Sequence, residues 1–506
     1  MINWLRKHWV LLAILALALV LRLYRIADTM TFLEDEGRDL LIVKRMIDQQ
    51  RPVLLGPQTS TGNMYLGPLY YYIITPALLL AKMDPVGPAI LIAISGVITT
   101  YLLYLLGKDW YSRAAGRMAS FAFAILPLAV TSTRSSWNPN LVPLIATLML
   151  LVYNRLVFAR PTTKTWLAYG ILIGIMVQLH YMALIYCGVM TLAIIWHKRS
   201  HLRELFSGAI WALLGFGLLL LPFIVFEIRN DWVNTGALTR FLQAKDEPNI
   251  RYHLPLWLWW DKVSKTTYRL ISSTFTGKDA GPYSLPAVIS FFTLVCFSTW
   301  QAIKTKHKPY LNILLIFLGS LAVLGIYQEN IHLHYLEFAL PLIMLLIAPT
   351  LLLKKRDLPS VILSCILAFL LGYGFSSSLK AISSGATHQV TKAKAVADYI
   401  VQKSAGEPYN VVSTQGMYTT PFQYFLAISD NPPSPTLAKR VFDICGGAPC
   451  PIDDETTTLL FLTGPGHPSI ANYLGHPELN SFDTQRQMVS NEHVAIGVWV
   501  AEIVLK

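Results

Sequence analysis

Long apolar runs alternate with short polar connections over the first three quarters of the chain. A helix of about 20 apolar residues is long enough to cross the roughly 30 Å hydrocarbon core of a bilayer. The pattern predicts about eleven spans, at residues 9–27, 88–107, 118–133, 139–158, 166–179, 182–196, 206–226, 284–302, 310–326, 336–353 and 358–376. The polar sequence QLHY at 178–181 divides one longer run, because polar side chains at membrane depth usually mark a cavity or a turn. We therefore expect a polytopic helical membrane protein.

Lysine and arginine residues cluster in every second connection between these spans. They precede the first span and recur at residues 108–117, 155–164, 198–203, 304–308 and 354–356. Because short cytoplasmic loops carry an excess of Lys and Arg, this distribution predicts a cytoplasmic amino terminus. We expect the protein in the cell membrane, either a plasma membrane or a bacterial-type inner membrane. An odd number of spans then places the carboxyl terminus on the extracytoplasmic side.

The predicted outer side carries two long loops, 28–87 and 227–283, and a polar tail. The spans and loops form one predicted domain, residues 1–376. From residue 377 the sequence TKAKAVADYIVQKSAG has helical spacing, whereas YNVVST, TLLFLTG and VAIGVWVAEI are typical of strands. Residues 377–506 are therefore expected to form an extracytoplasmic α/β domain. Within it, Cys445 and Cys450 could form a disulfide or stay reduced.

The composition agrees with this class. Of 506 residues, 54% are hydrophobic and only 14% are charged, whereas soluble proteins carry about 25% charged residues. The formal net charge of +12 could suggest nucleic-acid binding. The lysine and arginine clusters that set the topology account for much of this charge, so the bilayer is an expected partner and nucleic acid is not.

A group of acidic residues follows the first span directly. The stretch TFLEDEGRDLLIVKR, residues 31–45, holds Glu34, Asp35, Glu36 and Asp39 within six positions. An ordinary solvated loop could contain these residues. However, the amphipathic sequence LLIVKRMIDQQ that follows would lie against the membrane surface and fix the carboxylates in depth. Carboxylates held at this depth could act on a lipid-linked substrate.

These features resemble GT-C membrane glycosyltransferases that use polyprenyl-phosphate sugars. Protein O-mannosyltransferases and the aminoarabinose transferases that act on lipid A belong to this group, and they carry an Asp-Glu pair after the first span. Asp35-Glu36 matches that pair. The aromatic sequence YLGPLYYYIITP, which begins at Tyr65, the sequence Gln178-Leu179-His180 and the pair His334-Tyr335 resemble further recurring features. The resemblance covers residues 10–376 and implies the GT-C fold.

The resemblance implies transfer of a sugar from a polyprenyl-phosphate donor to a hydroxyl of a protein, lipid or glycan on the extracytoplasmic side. Asp35 is expected to be the general base, and Glu36 to orient it, to pair with Arg38 or to bind a divalent ion. Basic and hydroxyl side chains would stabilise the departing phosphate. The candidates for this role are Arg134, His180, His334, Tyr335 and Tyr65. Arg134 and the His334-Tyr335 pair are expected to line a cavity opposite Asp35.

The sequence also departs from the family pattern. Gly37-Arg38-Asp39 follows the acidic pair where the aminoarabinose transferases usually have Arg-Tyr, and His334 stands where arginine is common. No segment matches the β-trefoil domain of eukaryotic protein mannosyltransferases, so the resemblance does not imply which of these acceptors is used. A lipid-linked glycan flippase or transporter and an oligosaccharide ligase or polymerase remain alternatives. A metal site at Glu329, His332 and His334 is a further alternative, although no cofactor is certain.

Overall fold

The computed structural model describes residues 2–59, 64–243, 255–279, 281–327, 329–352, 358–415, 419–433, 440–446, 486–495 and 498–505. Its α-helices are α1 (Ile2–Leu23), α2 (Ile26–Thr29), α3 (Glu34–Asp48), α4 (Leu69–Leu80), α5 (Val86–Trp110), α6 (Arg113–Ile125), α7 (Pro127–Thr131), α8 (Val142–Phe158), α9 (Thr163–Leu179), α10 (Ala183–Lys198), α11 (Leu202–Arg229), α12 (Val233–Gln243), α13 (Leu256–Thr276), α14 (Ser284–Thr305), α15 (Lys308–Leu324), α16 (Ala339–Ile347), α17 (Leu358–Ser384), α18 (Gln389–Ser404) and α19 (Thr420–Ala427). Its strands are β1 (Tyr409–Gln415), β2 (Arg440–Gly446), β3 (Arg486–Ala495) and β4 (Val498–Leu505). Short 3-10 helices occupy Ser132–Arg134, Asn138–Leu141, Leu333–Leu336 and Ala348–Leu352.

The chain divides into two compact units. The first comprises Met1–Tyr24, Val53–Ile73 and Ala89–Gly385. The second comprises Arg25–Pro52, Ile74–Pro88 and Ala386–Lys506. The domain boundary predicted between residues 376 and 377 falls within α17, which continues to Ser384. As a functional boundary it stays a prediction.

The first unit is built mainly from apolar helices, and each predicted span overlaps one helix or two consecutive helices of the chain. In the part of the chain that the structure describes, five helical segments are long and apolar enough to cross a membrane, and the bent pair α6–α7 makes a sixth. The remaining apolar helices are shorter, so the total of eleven spans stays a prediction. The break predicted at residues 178–181 is confirmed, since α9 ends at Leu179 and α10 begins at Ala183.

The exposed side chains of α11 illustrate the membrane character of this unit. Phe206 and Leu213 on this helix are 73% and 68% exposed. Surfaces of this kind suit hydrocarbon, because lipid tails are as apolar as the side chains that contact them. The protein is a multi-pass membrane protein.

The span predicted at 118–133 is broken into α6 and α7, which meet at an angle of 65°. Pro127 begins α7 and has no N–H group, so it interrupts the helical hydrogen bonds. Arg22 of α1 is fully buried and donates to Phe123 O at 3.0 Å and to Ala124 O at 3.1 Å. A buried guanidinium thereby satisfies carbonyl groups that the break releases. Sequence analysis placed Arg22 within the first span and assigned it no role.

The second unit contains a four-stranded sheet in the order β1-β2-β4-β3. β1 and β2 are parallel, whereas β4 is antiparallel to both of its neighbours. The predicted helix at 391–406 and the predicted strand at 409–414 correspond to α18 and β1. The stretch 494–503, predicted as one strand, covers the end of β3 and most of β4, and turn-favouring Gly497 separates them in the sequence. The strand predicted at 458–464 and Cys450 of the possible disulfide lie outside the described residues.

Candidate active site

The acidic residues predicted in an outer loop begin a helix instead. α3 starts at Glu34, so Glu34, Asp35 and Glu36 occupy its first turn. The first N–H groups of a helix lack main-chain partners and carry partial positive charge, which favours carboxylates at this end. Leu33 provides no capping oxygen from its side chain. The Glu36 carboxylate instead accepts a hydrogen bond of 3.0 Å from Leu33 N, which fixes the chain where it enters the helix.

Glu36 is almost completely buried, with 5% of its surface exposed. Burial raises the pKa of this carboxyl group to about 7, against the lowering effect of its hydrogen bonds to the main chain. A carboxyl group that is buried and bound to a main-chain N–H has little access to an incoming hydroxyl. Its predicted roles, to orient Asp35, to pair with Arg38 or to bind a divalent ion, stay predictions.

Asp35 has the opposite environment, because its side chain is 43% exposed. Arg38, one turn later, donates from Nη1 to Asp35 Oδ1 at 2.8 Å. The same guanidinium donates from Nη2 to Asp39 Oδ1 at 2.8 Å, and Asp39 is only 1% exposed. A buried carboxylate therefore anchors Arg38, and Arg38 orients the exposed one. An accessible carboxylate with a fixed direction is what general-base catalysis needs.

The acidic turn is held by the tail of the chain within the second unit. Thr420 Oγ1 at the start of α19 donates to Glu34 O at 2.7 Å. A Cβ atom at Gly37 would lie 2.5 Å from Thr420 Oγ1 and 2.6 Å from Pro421 N, so this close approach requires glycine. Residues 34–48 and 420–427 lie on opposite sides of the domain boundary predicted at residues 376 and 377. The contact was not visible in the sequence, because 386 residues separate its partners.

In the first unit, the break between α9 and α10 and the 3-10 turn Leu333–Leu336 bring three predicted residues together. The ring centroid of His180 lies 4.7 Å from that of Tyr335 and 5.5 Å from that of His334. The rings of His334 and Tyr335 are edge-on, with their centroids 4.5 Å apart. These side chains therefore form one aromatic cluster.

Both imidazoles of this cluster are neutral at physiological pH. Burial lowers the pKa of His180 to about 4. Burial also lowers the pKa of His334 to about 3, and the neighbouring His180 and His332 add to the effect. The two rings can therefore offer N–H groups to an anion, but they supply no positive charge.

Trp137 is part of the same cluster, and sequence analysis did not single it out. Its ring centroid lies 4.4 Å from that of His334. The adjacent Asn138 is buried and donates from Nδ2 to Leu179 O, which ties this segment to the end of α9 beside His180. The available signal was the aromatic residue in the sequence TSTRSSWNPN, a polar connection between two predicted spans.

Arg134, predicted to bind the donor phosphate, is 3% exposed and lies in the 3-10 turn after α7. Its Nη2 atom donates to Tyr24 O at 2.8 Å, and its Nη1 atom donates to Leu21 O. These carbonyl groups lie at the carboxyl end of α1, where helical partners run out. The guanidinium therefore secures the end of α1, and its contact with a donor phosphate stays a prediction.

Tyr65, the remaining candidate, is fixed through its main chain. Tyr65 N donates to Asn234 Oδ1 at 2.6 Å, and Tyr65 O accepts hydrogen bonds from Asn234 Nδ2 and from the Tyr181 hydroxyl. Its own side chain is half-buried. Asp35 and Glu36 belong to the second unit and the other candidates to the first, so the cavity expected between them stays a prediction.

The alternative metal site is not formed. Within the described ranges, no group of three or more His, Cys, Asp or Glu side chains could hold a metal ion. The rings of His332 and His334 are stacked, with their centroids 5.6 Å apart. The carbonyl oxygen of Glu329 accepts a hydrogen bond from Lys262 at 2.7 Å.

A family model and several solved structures are similar to this chain. The dolichyl-phosphate-mannose-protein mannosyltransferase family matches residues 66–226. The comparison with curated proteins found no match. The crystal structure of ArnT from Cupriavidus metallidurans bound to undecaprenyl phosphate has a TM-score of 0.63 at 12% identity and covers 98% of both chains. The apo structure of the same protein has a TM-score of 0.61 at 12% identity and equal coverage. A structure of the Archaeoglobus fulgidus oligosaccharyltransferase with Zn and sulfate has a TM-score of 0.49 at 11% identity over 86% of this chain and 67% of that chain.

At 12% identity, the likeness to ArnT shows a shared fold. The family match covers Arg134 and His180, whereas Asp35 and the His334-Tyr335 pair lie outside it. The predicted fold class is confirmed, with apolar helices followed by a small sheet near the carboxyl terminus. The chain therefore has the GT-C fold of polyprenyl-phosphate-dependent membrane glycosyltransferases and resembles the protein O-mannosyltransferase and aminoarabinose transferase superfamily.

Proposed function

We propose that this protein is an integral membrane glycosyltransferase that moves a sugar from a polyprenyl-phosphate donor to an acceptor hydroxyl on the extracytoplasmic side. The family match over residues 66–226 and the ArnT-like fold over 98% of the chain support this class of donor. The observation that carries the proposal is the position of a partly exposed Asp35 next to a buried Glu36 in the first turn of α3.

In the proposed reaction Asp35 is the general base. Its carboxylate takes the proton of the acceptor hydroxyl while the hydroxyl oxygen attacks the anomeric carbon of the sugar. The bond between that carbon and the phosphate oxygen breaks, and its electron pair leaves with polyprenyl phosphate. The sugar is already activated by its phosphate, so the protein has to supply orientation, a base and stabilisation of the leaving group.

Glu36 and Arg38 are positioning residues in this mechanism. Glu36 binds the N–H of Leu33 and thereby fixes the first turn of α3. Arg38 holds the outer carboxylate through the 2.8 Å hydrogen bond to Asp35. Because the Asp35 carboxylate is already oriented, no further conformational entropy of this side chain is lost when it takes the acceptor proton.

The aromatic cluster of Trp137, His180, His334 and Tyr335 is proposed to bind the donor, together with Tyr65 and Arg134. Neutral imidazole N–H groups and the tyrosine hydroxyl can donate to phosphate or sugar oxygens. Because the imidazoles carry no charge, the cationic contribution to phosphate binding would come from Arg134 or from another basic side chain. No divalent ion is assigned a role.

The proposed topology has a cytoplasmic amino terminus and an extracytoplasmic tail. The alternating lysine and arginine clusters of the sequence support it. The second unit, which carries Asp35, would then work at the outer face of the membrane, where a polyprenyl tail remains in the bilayer and the sugar reaches the interface.

The proposal is tested with purified protein in proteoliposomes and a panel of polyprenyl-phosphate sugars, by measuring release of polyprenyl phosphate and transfer of the sugar. Release coupled to a glycosylated product is expected for at least one donor. Movement of intact donor between leaflets without release would identify a flippase instead. Reaction only with pyrophosphate-linked oligosaccharides would identify a ligase or polymerase.

A further inference from the structure

Asn234 makes a paired contact with the main chain of Tyr65. Its carboxamide oxygen accepts a hydrogen bond of 2.6 Å from Tyr65 N, and its amide nitrogen donates to Tyr65 O at 3.1 Å. One side chain thus satisfies both hydrogen-bonding groups of one residue, as a neighbouring strand would. Asn234 is 5% exposed, and an amide buried to this extent is stable only when its polar atoms are bonded.

Glu227 in turn fixes Asn234. This carboxylate, near the end of α11, is 1% exposed. Its oxygens accept hydrogen bonds from Asn234 N at 3.1 Å and from Thr235 N at 2.8 Å. These N–H groups lie in the first turn of α12, where main-chain acceptors are lacking. Glu227 therefore caps α12 from outside the helix and sets the direction of the Asn234 side chain.

The segment that Asn234 holds is also fixed against the end of α9. The Tyr181 hydroxyl donates to Tyr65 O, and Tyr181 directly follows His180 of the aromatic cluster. Two residues further on, a Cβ atom at Gly67 would lie 2.3 Å from Gln178 Oε1. Leu69 N donates to the same oxygen at 3.3 Å. Residues 65–69 are therefore held by Asn234 and also by Gln178 and Tyr181 at the α9–α10 break.

We propose that Asn234, directed by Glu227, is a positioning residue that holds the Tyr65 segment in its donor-binding conformation. This inference rests on the proposed role of Tyr65 in donor binding. Asparagine is needed because the site requires a donor and an acceptor on one short side chain. Aspartate lacks the donor, and alanine lacks both groups.

The test compares Asn234→Ala, Asn234→Asp and the rescue variant Asn234→Gln with the matched control Asn230→Ala. Asn230 lies on the same α11–α12 connection, is exposed and donates only to Phe226 O among the contacts of its side chain that the structure describes. Loss of the two buried hydrogen bonds should raise the KM for the polyprenyl-phosphate sugar about tenfold, with kcat changed less than twofold. Asn234→Gln should recover part of this loss, and Asn230→Ala should match wild type.

Amide hydrogen exchange of residues 64–69 gives a second measurement that does not depend on turnover. Exchange in this segment should accelerate at least tenfold in Asn234→Ala and less in Tyr181→Phe, which removes one of the three hydrogen bonds. Unchanged exchange in Asn234→Ala would contradict the claim that Asn234 holds residues 65–69 in place. Accelerated exchange with an unchanged KM, or a loss confined to kcat, would overturn its role in donor binding. Absence of transfer by the wild-type protein would instead count against the proposed function.

Discussion

Arg38 donates a hydrogen bond of 2.8 Å to Asp35, and with the same guanidinium it donates one of equal length to Asp39. The first carboxylate is 43% exposed and the second 1%. One arginine therefore couples a group that can meet a substrate to a group within the protein. This relationship distinguishes Asp35 from an ordinary surface carboxylate.

Arg38→Gln should destabilise the second unit, because it leaves the buried Asp39 with a weaker neutral partner. The loss of a charge-assisted hydrogen bond in a partly buried site costs about 1.5–3 kcal/mol. Hydrogen exchange of α3 should reveal the loss. Lys44→Gln is the control on the same helix, since Lys44 pairs with the exposed Asp48 and its loss should cost less than about 1 kcal/mol. Equal protection in both variants would contradict the account.

Gly37→Ala should disturb the packing of α3 on α19. The added methyl group would meet the backbone nitrogen of Pro421 at 2.6 Å, which cannot move as a side chain can. We expect a destabilisation of about 1–3 kcal/mol and earlier proteolysis of the second unit. Gly188→Ala in α10 is the control, because among the described residues no atom beyond its chain neighbours and its own helix backbone lies within 4 Å of the added methyl group. A Gly37→Ala protein as stable as the control would show that the two helices do not pack as described.

Glu36 should give the second unit a characteristic dependence on pH. Its folded pKa of about 7 lies above the ordinary value of 4.5, so its contribution to stability is fully present below pH 4.5 and is lost as the pH rises through about 7. Glu36→Gln keeps an oxygen that can accept from Leu33 N but does not titrate. Its α3 exchange protection should therefore change less between pH 5 and 8 than that of wild type. Identical pH profiles of exchange protection for the two proteins would contradict a buried Glu36 with a raised pKa.

The two histidines of the aromatic cluster, His180 and His334, predict a dependence of stability on pH opposite to that of Glu36. The pKa values of His180 and His334, about 4 and about 3, lie below the ordinary 6.5. Their contribution is present above pH 6.5 and is lost as the pH falls toward these values. Donor affinity should therefore be independent of these two groups between pH 6.5 and 8. His334→Gln should leave the pH profile of donor binding in that range unchanged in shape, even if affinity falls, and a titration near pH 6.5 that disappears in this variant would contradict a neutral His334.

The sequence predicted the features that depend on local pattern. Apolar runs located the helices, and the polar residues at 178–181 located the break beside His180, because length and hydropathy decide both. The acidic residues Glu34, Asp35 and Glu36 were predicted to lie in an outer loop, whereas they form the first turn of α3. Leu33 offers no conventional cap, and the capping oxygen comes from Glu36 three residues later.

The features that depend on distant contacts could not be predicted. Arg22 bonds to carbonyl groups about 100 residues away, which carry no side-chain signature. The hydrogen bond from Thr420 to Glu34 spans 386 residues, and the contact between Asn234 and Tyr65 spans 169. The two hydrogen bonds from Arg134 to main-chain oxygens at the end of α1 span 113 and 110 residues and were likewise not predicted, and its role at a donor phosphate stays a prediction.

The most direct test of the central claim is the turnover of Asp35→Asn at a saturating concentration of a polyprenyl-phosphate sugar, measured with donor binding in the same preparation. Asn keeps the oxygen that accepts from Arg38 but cannot take the acceptor proton, so turnover should fall about 10²–10⁴-fold while donor binding stays within about twofold. Asp48→Asn, on the same helix and 54% exposed in its side chain, is the matched control and should keep wild-type turnover. Turnover of more than a few per cent in Asp35→Asn, or an equal loss in Asp48→Asn, would contradict the assignment of Asp35 as the base.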